Sequence, residues 1–217
     1  MITLALNPSA KEFEDKHLPM SDAPEVQWKS QISYFKDNPY RLWFDKAELI
    51  LKAASQGKCS YGGVMGDGHK CIHLDLSPLP TAGNFDKTYD GFKAGQGQEK
   101  RVRALQLLEE DSKHILVPTL CNLHKYSNTR KILICGYCPL ASGSRTMKEY
   151  WKKATHKITV DITGNESGVA WGFGEWKLES GEVFDVGFMS KGPSSMAKLD
   201  DLIKAANALA HNLCLRR

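Results

Sequence analysis

Cys121-Asn122-Leu123-His124 is followed, after ten residues, by Cys135-Gly136-Tyr137-Cys138. Two sulfur or nitrogen donors two residues apart can grip one ion from a tight turn. A second such pair can close a tetrahedron, the closed N/S set that suits structural zinc. Cys121, His124, Cys135 and Cys138 are therefore a candidate zinc set. The plainer alternative is buried free thiols beside an ordinary surface histidine. A second group lies earlier, in Cys59-Ser60-Tyr61-Gly62-Gly63 and Gly66-Asp67-Gly68-His69-Lys70-Cys71-Ile72-His73-Leu74-Asp75. On a strand, alternate side chains share a face, so His73 and Asp75 can point into one site. His69, Cys71 and His73 are also spaced closely enough for His73 to be a metal ligand instead. Cys214 falls on an apolar helical stripe and reads as a buried residue.

Charge is unevenly placed. Between His124 and Lys157 stand Lys125, Arg130, Lys131, Arg145, Lys148, Lys152, Lys153 and Lys157, opposed only by Glu149. That segment carries +7 of a chain whose net charge is +4, so the remainder is −3. A cationic segment beside a candidate metal site points to a polyanionic partner, most simply nucleic acid. A solvated helix face is the alternative.

The elements that must position these residues are legible in part. The 217 residues fit one domain or one domain with an appendage. With 41% hydrophobic and 25% charged residues the composition is that of an ordinary globular chain. No apolar run approaches the ~20 residues that cross a bilayer. The amino end lacks a basic start and a long apolar run, which argues against a secretory signal and for the cytoplasm, where metal binding outranks disulfides.

Residues 1–23 show no clear periodicity and read as an extended arm. Helices are expected over Glu25–Phe35, Asp45–Ser55 (stopped by Gly57), Glu99–Glu110, Ser144–Ala154 and Ser195–Leu213. The last carries a stripe of Met196, Leu199, Leu202, Ala206, Leu209 and Leu213. Strands are expected over Cys71–Leu76, Leu116–Leu120, Lys131–Ile134, Ile158–Ile162, Val169–Phe173 and Val183–Phe188, and a long loop over residues 81–98. This divides the α+β chain into an N-terminal arm with helices (1–56), a zinc-binding core (57–140), and a basic helix, small sheet and closing helix (141–217).

The middle of the chain resembles the HNH, or ββα-metal, nucleases. The resemblance runs from about Gly57 to Lys131, with its pieces in family order. Lys58-Cys59-Ser60-Tyr61-Gly62-Gly63 resembles a first zinc knuckle, with Gly62 in place of its second cysteine. Ile72-His73-Leu74-Asp75-Leu76-Ser77-Pro78 resembles the strand that carries the general base. His114 to His124 resembles the entry to the second knuckle, and Asn128-Thr129-Arg130-Lys131 the basic continuation of the metal-binding helix. Asp75 stands where the family places histidine, His124 where it places cysteine, and Lys125 where a metal-binding residue often follows.

The resemblance implies a central ββα-metal core and metal-dependent hydrolysis of phosphodiester bonds, in DNA rather than RNA. It implies His73 as base, Asp75 as a ligand for Mg²⁺ or Mn²⁺, and His114 or Asn128 completing the site. It also favours a zinc site joining Cys59 and Cys71 to Cys121 and His124. By analogy, an enzyme that cuts both strands of a duplex is expected to be a homodimer. The rival reading is a zinc-stabilised nucleic-acid-binding protein without catalysis.

Overall fold

A computed structural model describes residues 1–5, 25–26, 41–61, 69–77, 105–127, 129–137, 150 and 157–215. Its centre is a six-stranded sheet in the order β4-β1-β5-β8-β7-β6. These strands are β1 (Ile2–Ala5), β4 (Ile72–Asp75), β5 (Lys131–Cys135), β6 (Lys157–Glu166), β7 (Val169–Lys177) and β8 (Val183–Met189). The first four in that order run parallel, and β7 and β6 close the far edge antiparallel. A small parallel pair, β2 (Cys59–Ser60) and β3 (His69–Lys70), stands apart from the sheet. The architecture is thus mixed α/β, and strands from all three sequence segments join one sheet.

The amino end differs from the arm expected there. Ile2 and Leu4 are buried, and β1 pairs with β4 on one side and β5 on the other. Its Ile-Thr-Leu-Ala alternation is too short to stand out in a periodicity scan, yet a four-residue strand flanked on both sides needs nothing longer.

Alternation along the strands makes two cores. One face presents Ile2, Leu4, Ile132, Ile134, Val186 and Phe188, which pack with Leu105, Leu108, Leu116 and Leu120. The other presents Leu133, Phe173 and Met189, which pack with Ile50 and Ala54 of α1 (Arg41–Ala54) and with Leu202, Ala206 and Leu209 of α3 (Leu199–Leu215). Gly187 lets α3 approach closely, because a Cβ there would sit 2.7 Å from Leu209 Cδ2. Helices therefore cover both faces, as parallel sheets require. Among the described residues no helix is long and apolar enough to cross a membrane.

The helix expected to stop near Glu110 continues instead. Residues 105–111 are helical and run through a π-turn at Ser112–Leu116 into α2 (Val117–Ser127). The strand expected at Leu116–Leu120 is thereby replaced by helix. Pro118 suggested a break, since its ring would collide with the carbonyl of residue 114 and it donates no hydrogen bond. The wider turn, with Val117 N–H bonded to Ser112 O, accommodates the proline without ending the helix. The deciding signal is apolar spacing: Leu105, Leu108, Leu116 and Leu120 are all buried on one side.

The other helices agree with the sequence within a few residues. Gly57, at φ +77°, ends α1 with its N–H on Lys52 O at 2.7 Å. α3 begins at Leu199, so Met196 lies before it and is fully exposed rather than part of the stripe. Almost all of the expected helix at Glu25–Phe35, the helix at Ser144–Ala154 other than Tyr150, and the loop at 81–98 fall outside the described residues.

Candidate functional site

His73 and Asp75 do share a face of β4, the edge strand of the sheet. His73 Nε2 lies 3.8 Å from Asp75 Oδ1, and the two side chains are 12% and 19% exposed. Asp75 is the last residue of β4, at the carboxyl ends of the parallel strands, the edge at which open α/β sheets bind ligands. The other ring nitrogen is held as well. Thr3, aligned with His73 across the β1–β4 ladder, places its Oγ1 2.9 Å from His73 Nδ1.

Thr3 is the hub of a buried polar chain. Tyr61 donates its hydroxyl to Thr3 Oγ1 at 2.8 Å, and the Cys71 thiol points at the same oxygen from 3.9 Å. A hydroxyl can donate or accept, so Thr3 suits either tautomer of His73. If Nδ1–H donates to Thr3, the Nε2 lone pair faces Asp75, which is the form a base or a metal ligand needs. If Thr3 donates, the proton sits on Nε2. Thr3→Val should strand Tyr61 and His73 together and cost about 1–3 kcal/mol. Chemical denaturation of the variant checks this, and unchanged stability would remove Thr3 as the hub.

Aromatic rings enclose the imidazole. The Trp43, Phe44 and Tyr61 rings stand 4.9, 5.2 and 6.1 Å from it, centroid to centroid. α1 supplies the first two because Phe44, Ala47 and Leu51 form its buried stripe against Cys59, Tyr61 and Cys71. Burial lowers the His73 pKa from 6.5 to about 4, so the ring is neutral at neutral pH. Burial also pushes the Cys71 thiol up to about 12 and the Tyr61 phenol well above 10. These groups are uncharged donors around Thr3.

The zinc candidates do not converge among the described residues. Cys121 and His124 are one turn apart on α2. The Cys121 thiol lies 3.3 Å from Ser180 Oγ and 3.7 Å from Glu182 Oε2, and His124 meets Phe184 edge to face at 5.4 Å. These partners lie at or just before the start of β8. Cys135 aligns with Met189 at its other end. Six residues of strand separate the two ends by about 20 Å. Cys138 lies outside the described residues.

The alternative set is divided by the sheet. Cys59 and Cys71 pack under α1 on one face, and Cys121 packs with the core on the other. Burial holds the Cys135 thiol, like that of Cys71, up at about 12. No group of three or more histidine, cysteine or acidic residues among the described residues is placed to hold a metal ion.

The remaining candidates spread out. His114 is exposed on the π-turn, across the sheet from His73, and Asn128 lies outside the described residues. Lys125 and Arg130 are exposed and Lys131 is half-buried at the start of β5. Lys157 begins β6, and Arg145, Lys148, Lys152 and Lys153 lie outside the described residues. Sequence reasoning missed Thr3, Trp43 and Tyr61. Only the alternation of Ile2 and Leu4 around Thr3 could have marked the first. No protein-family model, curated protein or solved structure matches the chain.

Proposed function

We propose that this protein is a metal-dependent phosphodiester hydrolase acting on nucleic acid, DNA before RNA, with His73 and Asp75 as its working pair. The reading rests on one observation: the imidazole and the carboxylate stand 3.8 Å apart on one face of an edge strand, with Thr3 fixing the far ring nitrogen. The Asp75 carboxylate suits a hard divalent cation, and Mg²⁺ often keeps waters on its other positions. Mg²⁺ or Mn²⁺, when bound, supplies positive charge that offsets the charge developing on phosphate. The chain's own residues do the rest. Asp75 provides the anionic oxygen. His73, kept neutral by burial, takes a proton at Nε2 from the attacking water. Thr3 can accept from Nδ1–H, the tautomer that leaves the Nε2 lone pair to take that proton.

A second reading has its own support. The same burial and the aromatic ring contacts make His73 a well-satisfied structural histidine, which favours a nucleic-acid-binding protein without catalysis. Incubation of single- and double-stranded DNA and RNA with Mg²⁺ or Mn²⁺ separates the two. The hydrolase reading expects cleavage that EDTA abolishes. It also expects Asp75→Asn to be slow and partly restored by added metal. No cleavage with any divalent cation, together with salt-sensitive binding, selects the second reading. Elemental analysis of protein purified without chelator tests zinc in both, and a metal-free protein removes it.

A further inference from the structure

The outward side of α2 is a second feature of the molecule, on the face of the sheet away from His73. From Ser112 to Lys131 the chain contains no aspartate or glutamate. Lys113 and His114 on the π-turn, Lys125 on α2 and Arg130 just before β5 are all exposed. Near them runs an exposed line of other side chains at helical spacing: Ile115, Pro118, Asn122 and Tyr126. Tyr126 is 76% exposed and Ile115 48%. Lys125 Nζ stands 5.0 Å from the centre of the Tyr126 ring, so one face of the ring carries a cation and the base would stack on the other.

Helix formation does not call for an open tyrosine at this position. The helix is already anchored through Leu116 and Leu120, which are buried. Lysine and arginine near a helix carboxyl end do complement its dipole, but an exposed ring adds nothing to that effect. A planar ring interleaved with cations is the chemistry that receives an unpaired base and its phosphates. A duplex offers phosphates and groove edges but hides the faces of its bases.

We infer that the exposed side of α2 docks single-stranded nucleic acid, with Tyr126 stacking on a base and Lys125 and Arg130 contacting phosphates. This rests on nucleic acid being the partner, as in the proposed function, but not on catalysis. Binding of labelled oligo(dT) and of a matched duplex, both followed by fluorescence anisotropy in EDTA, tests it where nothing can be cut.

Tyr126→Ala should weaken oligo(dT) binding about 10- to 100-fold, leave the duplex unchanged, and leave far-UV circular dichroism and Tm as in the wild type. Tyr126→Trp should retain binding. Lys125→Ala with Arg130→Ala should lower the slope of log affinity against log salt by about 0.7 per lost contact. Tyr126→Ala binding oligo(dT) like the wild type overturns the inference, as does an equal loss for single strand and duplex. Anionic phosphatidylserine vesicles that bind with the same dependence on Tyr126 would assign the face to a membrane surface and also overturn it. A wild type that binds oligo(dT) through Tyr126 but cleaves nothing overturns the hydrolase reading alone.

Discussion

His73→Ala is expected to lower the Mg²⁺- or Mn²⁺-dependent cleavage rate by about 10²–10⁴-fold, the usual contribution of a positioned general base. The loss should fall on kcat, with binding of nucleic acid in EDTA nearly unchanged, because the imidazole acts on water rather than on the strand. The variant must be shown to be folded. Removing a ring held by Thr3 and flanked by Trp43, Phe44 and Tyr61 leaves a cavity as well as a missing base. His73→Asn supplies the control. Its amide can keep a hydrogen bond to Thr3 and fill part of the space, yet it accepts no proton at neutral pH. Both variants slow, with His73→Asn close to the wild type in Tm, is the result expected of a base. A folded His73→Asn that cuts at the wild-type rate would return His73 to a purely structural role.

How much of this was legible beforehand depends on the range of the signal. β4, β5, β7 and β8 were found because each is a local run of apolar or alternating residues with a turn near its end, and α3 because its stripe repeats over several turns. The shared face of His73 and Asp75 was legible for the same reason: two residues apart on a strand means the same side. Their surroundings were not. Thr3 and Tyr61 lie 70 and 12 positions from His73, and nothing local in Ile2-Thr3-Leu4-Ala5 says which strands it will separate.

The cysteine spacing says nothing of the elements that carry it. Two residues between donors grip an ion from a turn, but Cys121 and His124 are set on a helix and Cys135 ends a strand. The turn reading took Leu116–Leu120 as a strand leading into the first pair, whereas the π-turn that accommodates Pro118 makes that stretch helix. Metal spacing is therefore informative only once the element that carries it is known.

Stability should fall with acid through His73, and by an amount that can be isolated. At pH values above 6.5 the imidazole is neutral in the folded and the unfolded chain alike, and contributes nothing to the pH dependence. Below 6.5 the unfolded chain takes up the proton. The folded chain resists until its pKa of about 4, because the buried site disfavours the charge. The unfolded state therefore binds more protons across this window, and stability declines as pH falls through it. The accumulated loss reaches about 3 kcal/mol at its lower end. The groups around Thr3 do not blur the reading: burial raises the pKa of Tyr61 and of Cys71, so both stay neutral throughout. Asp75, 3.8 Å from Nε2, attracts the protonated ring and makes the loss smaller to the extent that its charge offsets burial. Urea unfolding of wild type and His73→Asn, followed by tryptophan fluorescence at several pH values, isolates the effect. Other carboxylates titrate equally in both proteins and cancel in the difference. The gap between the two should change by up to about 3 kcal/mol across the window, always in the direction that favours the asparagine variant in acid. A gap that stays constant would mean that His73 titrates as if in water. A ring that titrates near 6.5 is still mostly neutral at pH 7 and is the stronger base, so that outcome would overturn the effect of burial on His73 rather than its role as base.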